Sequence, residues 1–215
     1  MTNTYCQTSF IYISCYQGDD KVQIKKDEVR LKILEVATDE FLKRGYENAS
    51  MRMIARKAHT TQGNIYHYFH NKEILLEEIL LPTIENIECM VSRHIEHERA
   101  NPLTKEQALT KLKELENDFD SSDLSCFFDK KVVILLKLES SHLLERKEKI
   151  LQSLTEHLQE SFNINDDAHY AEIVLNMLVE CVKHVLIEHE NLDNAKAEFL
   201  KFFHLLFNGI ISQIR

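Results

Sequence analysis

The chain has 215 residues, 44% hydrophobic and 28% charged, with only 4 glycines and 2 prolines. Average usage would supply about 26 of these two residues, so turn-dense all-β sandwiches and barrels are excluded. The isolated Gly18, Gly45, Gly63 and Gly209 form no phosphate-cradling loop, and a net charge of −9 argues, taken whole, against an anionic partner.

Residues 1–20 contain no Lys or Arg and no helical period, and read as a flexible leader. The helical pattern begins at Lys25 and runs to Arg44, where Val29, Ile33, Ala37 and Phe41 form one apolar stripe. Gly45 closes it, with Lys43 and Arg44 in the last turn, where the helix dipole favours cations. Ser50 is placed to cap a short helix from Met51 to Ala58, and Thr61 to cap a third from Gln62 to about His70. A longer helix follows from Lys72 to Asn101-Pro102, and Pro82 inside it predicts a kink or a split. Further helices are predicted at about 104–118, 126–140, 142–161, 168–189 and 193–214, separated by polar clusters.

The last two helices are apolar around most of their circumference, and so must be covered on nearly all sides. In a chain this small the second cover is another copy of the chain, giving a homodimer through a four-helix bundle. Leu178, Val182, Phe203, Phe207 and Ile210 are the candidate dimer residues. The alternative is a central helix buried within one protomer. No segment approaches the 18 or so apolar residues of a membrane span. The N-terminus lacks a signal-peptide pattern, and five scattered cysteines without a C-x-x-C pair form no disulfide framework. A cytoplasmic protein with no membrane contact is expected.

The informative segment is Ser50 to Phe69, a seven-residue helix, a tight turn at His59-Thr60 and a second short helix. That is helix-turn-helix spacing, with the later helix as reader of the major groove. Gln62 and Asn64 in its first turn can pair bidentately with adenine, and Gly63 lets the backbone approach the duplex. Tyr66, His67 and Tyr68 are long polar-tipped rings that reach phosphates, and Lys72 can hold another.

Ile33-Leu34, Phe41, Gly45-Tyr46, Ser50, Ile54-Ala55, Ala58, then Gly63-Asn64-Ile65-Tyr66-His67-Tyr68-Phe69 and Asn71-Lys72-Glu73, together resemble the N-terminal domain of TetR-type transcriptional regulators. The resemblance covers roughly residues 28–77. It implies an all-α fold, with a three-helix helix-turn-helix DNA-binding domain at residues 21–71 and a helical ligand-binding and dimerisation domain at 72–215. It also implies a homodimeric regulator that binds a palindromic double-stranded DNA operator, usually a repressor released by a small molecule, here unidentified. By position, DNA contact falls to Ser50, Met51, Thr61, Gln62, Gly63, Asn64, Tyr66, His67, Tyr68 and Lys72. His59 stands where the family usually has a turn glycine; histidine can occupy the left-handed conformation, though less readily than glycine. Cys126, Phe127, Leu135, Leu138 and His142 lie on the middle helices, where the family places its ligand cavity, ordinary core packing being the alternative.

No cofactor, metal or catalytic residue is expected. Glu139 to His142 is a single E-x-x-H, half of what a ferritin-like di-metal enzyme requires. The His94, Glu96, His97, Glu98 group reads as accidental in a chain with 11 histidines. Such an enzyme, or a helical protein-binding adaptor, is the rival reading. The charge also divides: residues 21–76 hold 11 Lys+Arg against 7 Asp+Glu, while residues 77–215 hold 15 against 26. A basic head and an acidic body restore nucleic acid as a partner.

Overall fold

The computed structural model describes residues 20–102, 104–162 and 168–211, with side chains placed for 26–102, 104–161 and 169–207. Among them are helices and no strand. The first, α1, spans Asp20–Arg44, five residues longer at its start than the apolar stripe predicts. Gly18 is the nearest helix breaker upstream, and Lys21 to Lys25 contain none. The leader expected at 1–20 otherwise lies outside the described residues.

Ile33, Ala37 and Phe41 are fully or almost fully buried, as their spacing requires. Gly45 ends α1 with φ +79 and donates its N–H to the Phe41 carbonyl at 2.9 Å. α2 spans Met51–Lys57 and α3 spans Gln62–Tyr68. Between them His59 sits at φ 54. Its N–H reaches the Arg56 carbonyl at 3.2 Å, and the Thr60 N–H reaches Ala55 at 2.9 Å. This pair of bonds is a Schellman stop. A histidine holds it at a cost on the order of 1 kcal/mol over glycine.

α4 spans Lys72–Ala100 as one helix through Pro82, so the predicted split does not occur. Proline removes one intrahelical bond at a cost of about 3 kcal/mol. Buried Leu75, Leu76, Ile79 and Leu80 before it and Ile84, Ile87 and Val91 after it outweigh that, at about 1.5–3 kcal/mol each. Asn71 caps α4 by accepting the Ile74 N–H at 2.8 Å.

α5 spans Lys105–Asn117 behind a Thr104/Gln107 capping box. The single helix expected at 126–140 is instead a 3-10 turn, Asp123–Phe127, and a short α6, Lys130–Leu136. Asp129 causes the break, because its side chain takes the Lys131 N–H at 2.9 Å and starts a new helix. Four consecutive α6 residues, Val132 to Leu135, are buried, so this helix is enclosed on every side. α7 spans Leu144–Phe162, α8 Ala168–Glu188 and α9 Leu192–Ile211. One continuous hydrophobic cluster runs from Ile33 and Phe41 through α4 to Phe199. Among the described residues no helix is long and apolar enough to cross a membrane.

Candidate nucleic-acid interface

α3 is anchored from below by Ile65 and Phe69, which are 0% and 1% exposed. That anchoring turns Thr61, Gln62, Gly63, Tyr66 and His67 outward into solvent. Thr61 caps the helix by accepting the Asn64 N–H at 3.1 Å. Asn64 is half-buried, and its amide donates to the Thr60 hydroxyl at 2.7 Å. Tyr68 is half-buried against the core, edge-on to His67 at 5.8 Å. Ser50 stands at the cap position of α2, but its hydroxyl makes no capping bond and stays exposed. Met51 is corrected: its side chain is in the core at 7% exposure, so it offers a duplex only its backbone N–H. The outward positions of α2 are instead Arg52, Arg56 and Lys57. Lys57 and Arg44 both pair with the buried Glu40, tying α1 to α2. Arg52 and Arg56 are further candidates beyond Ser50 and Met51 at the start of the same helix. Their signal was basic residues at i and i+4 on the neighbouring helix.

Lys72 does something other than wait for a phosphate. Its ammonium donates to the Tyr46, Glu47 and Ala49 carbonyls at 2.7, 3.1 and 3.2 Å. It also lies 4.4 Å from the centre of the Tyr46 ring. A lysine has three donors, and all three gather the α1–α2 loop.

Beside this clamp, the loop from Glu139 to His142 reaches back to the helix-turn-helix unit. Glu47 accepts the Glu139 and Ser140 N–H groups, both at 3.1 Å. Glu73 accepts from the Tyr46 and Ser141 hydroxyls and from the His142 N–H at 3.1 Å. Burial pushes the Glu73 carboxyl up, but the bonds from Ser141, Tyr46 and His142 outweigh it and hold it below its ordinary range. Burial, and next the Glu73 carboxylate, raises the Tyr46 hydroxyl. The His142 ring lies between Glu73 and Glu77, at 2.6 and 2.5 Å.

A cavity of about 970 Å³ occupies the body, with walls that include Ile87, Val91, Leu112, Phe128, Leu154 and Phe199. Of the five expected pocket residues, Phe127 and Leu135 line it and the other three do not. Leu138 is packed in the core. His142 faces Glu73 and Glu77, because α6 stops at Leu136 and the chain turns toward α4. Cys126 donates its thiol to the Asp123 carbonyl at 3.2 Å. Burial, with Asp123 beside it, pushes that thiol up to about 12. One end of the cavity is polar, formed by His94, Glu98, Lys111 and His157. The hydrogen bond from His157 outweighs burial and, with His94 and Lys111 nearby, holds the Glu98 carboxyl down at about 2.

The expected dimer residues are also corrected. Leu178, Val182, Phe203 and Phe207 face inward and line the cavity, while the Ile210 side chain lies outside the described residues. The outward apolar face consists of Tyr170, Ile173, Met177 and Ile187 on α8 and Leu205 on α9, between 44% and 77% exposed. A helix apolar all round carries no signal saying which stripe faces which neighbour.

A family model described as bacterial regulatory proteins of the tetR family matches residues 33–79. The match runs from mid-α1 through the helix-turn-helix into the first turns of α4. Over that segment the chain is similar to the tetR family of bacterial regulatory proteins. The HTH-type transcriptional regulator UidR of Escherichia coli K12 is 34% identical over 62 residues, 29% of this chain and 32% of UidR. The chain therefore matches about a third of the length of that relative. The HTH-type transcriptional regulator YdgC of Bacillus subtilis is 28% identical over 178 residues, 71% of this chain and 91% of YdgC. Among solved structures, NalD of Pseudomonas aeruginosa, a secondary repressor of the MexAB-OprM efflux pump, aligns with a TM-score of 0.47 and 20% identity. That alignment covers 86% of this chain and 97% of NalD.

Within the matched segment, Gly63 has no internal reason to be glycine. A Cβ built there meets nothing within 4 Å, and its φ is not positive. A helical glycine costs about 0.5–1 kcal/mol relative to alanine. The open space lies on the outward side of α3, the side a duplex would approach.

Proposed function

We propose that this chain is a sequence-specific DNA-binding transcriptional regulator, acting as a homodimer on a palindromic operator and released by a small molecule. The observation that carries the reading is the first turn of α3: polar, exposed and free of bulk at Gly63, on a helix held rigid by Ile65 and Phe69. Residues 21–71 read the operator, and residues 72–215 dimerise and sense. Gln62, Tyr66 and His67 supply base and phosphate contacts. Arg52 and Arg56 add charge from α2. Ser50, Thr61, Gly63 and Asn64 shape the approach, and Lys72 holds the loop before α2 in place.

Two copies joined by the outward faces of α8 and α9 would set their reading helices about 34–36 Å apart, on successive major grooves. A dimer spanning two grooves occludes polymerase, which favours repression. A mainly apolar effector in the cavity biases the position of α4 and of the Glu139–His142 latch. It acts only through its differential affinity for the two shapes, typically about 1–3 kcal/mol. A gel shift and footprint on the DNA upstream of the gene test the reading. A protected palindrome is expected, and no sequence-specific binding there or at any selected palindrome would refute it.

Gly63→Ala separates folding from reading. The free protein is expected to gain about 0.5–1 kcal/mol, seen as a melting temperature higher by roughly 2–3 °C. Operator affinity is expected to fall, because the new methyl stands where the duplex lies. A variant that binds as tightly as the parent would remove Gly63 from the interface.

A further inference from the structure

We propose that His94, Glu98 and His157 form a site for one zinc-class transition-metal ion, bridging α4 and α7 at the polar end of the cavity. Among the described residues this is the one group of three histidine, cysteine or carboxylate ligands close enough to share an ion, with all ligand atoms within 4.8 Å of one another. Glu98 lies 3.6 Å from His94 Nε2 and 3.2 Å from His157 Nε2. Tetrahedral zinc with bonds of about 2.0–2.1 Å needs ligands roughly 3.3 Å apart. Both separations bracket that value, and a closure on the order of 1 Å by side-chain rotation completes the set.

The surroundings are those of a ligand set. His94 presents its other nitrogen, Nδ1, to the Asp123 carboxylate at 3.1 Å, and Arg93 holds that carboxylate at 3.2 Å. A carboxylate on the far nitrogen fixes the tautomer and leaves Nε2 as the donor atom, which is how histidine ligands are oriented. His157 is 8% exposed, a burial that imidazole seldom takes without a partner. Two imidazoles and one carboxylate suit zinc and its neighbours and disfavour calcium or magnesium. Lys111 Nζ, 3.4 Å from Glu98, is the competing cation; its side chain is 44% exposed and free to swing into solvent. All three residues line the cavity. His94 and Glu98 stand at i and i+4 in the sequence, but His157 comes from another helix, so the trio exists only in the fold.

The test is calorimetric titration of zinc chloride into the full-length protein, first stripped with a chelator. One zinc per chain is expected, with a dissociation constant near or below about 1 μM. His157→Ala and His94→Ala are each expected to weaken binding by about tenfold or more, while His97→Ala, which alters an exposed histidine on the same helix, leaves it unchanged. Circular dichroism checks that the variants fold; should His157→Ala fail, His94→Ala carries the test. No stoichiometric binding by the parent, undiminished binding by folded His94→Ala, or equal loss in His97→Ala would each overturn the site. None of these results depends on operator binding.

Discussion

Lys72→Ala is expected to lower the stability of the DNA-free protein by about 2–4 kcal/mol. Hydrogen bonds from a charged donor are worth about 1.5–3 kcal/mol each, and this ammonium makes three, to Tyr46, Glu47 and Ala49. The sum is not additive, since a loosened loop lets water reach some of the carbonyls. Loss of the contact with the Tyr46 ring adds about 0.5–1 kcal/mol. For a chain of this size the melting temperature should drop by roughly 5–15 °C, read by thermal denaturation with no nucleic acid present. Arginine at this position should rescue little, because a planar fork cannot point three donors at three converging carbonyls. A phosphate-binding lysine behaves in the opposite way: its loss leaves the free protein's melting curve unchanged and weakens only the complex.

The second large effect concerns assembly. Ile173→Glu with Met177→Glu is expected to separate the proposed dimer into monomers at micromolar concentration, measured by sedimentation. These two residues lie on the outward line of α8 that runs from Tyr170 to Ile187, with Glu180 and His184 between. Burying an apolar side chain contributes about 1.5–3 kcal/mol, and a carboxylate in its place must be desolvated without a partner. Operator affinity should fall by about 100-fold or more, because the second half-site no longer gains from tethering. Phe203→Ala is the contrasting variant. Its ring stacks on Phe199 at 5.5 Å and on Phe207 at 5.1 Å along the cavity wall, so it should alter the cavity and leave the dimer intact. A double glutamate variant that sediments as a dimer would place the interface elsewhere.

Local signals in the chain were strong where one physical effect acted alone. The i, i+4 stripe of α1, the Gly45 stop and the Thr61 cap each depend on a few adjacent residues, and each is found in the fold. The helix-turn-helix rested more on the family resemblance than on local signals, and so did the attention to the His59 turn, which is left-handed in the fold. Two effects compete in α4, where proline chemistry argues for a kink or a split and burial on both sides keeps the helix in one piece. Long-range partners were invisible. Nothing near Lys72 shows that it reaches back to a loop more than twenty residues earlier, nor that His142 answers to Glu73 and Glu77. Uniformly apolar helices gave the weakest guidance, as α8 and α9 show: their composition requires cover on all sides without saying which stripe meets a cavity and which meets solvent or a second copy.

The unbroken hydrophobic cluster from Ile33 to Phe199 bears on how long each molecule survives in a cell. Because head and body share this apolar core as well as the polar latch at Glu47 and Glu73, the two are expected to unfold as one cooperative unit. Anything that occupies the cavity therefore raises the unfolding free energy of the reading helices as well, by mass action on the native state. Protease cuts made through global opening should become rarer at α2 and α3 as well as around the cavity. A bound molecule that loosens the grip on DNA would in the same act lengthen the life of the protein that let go.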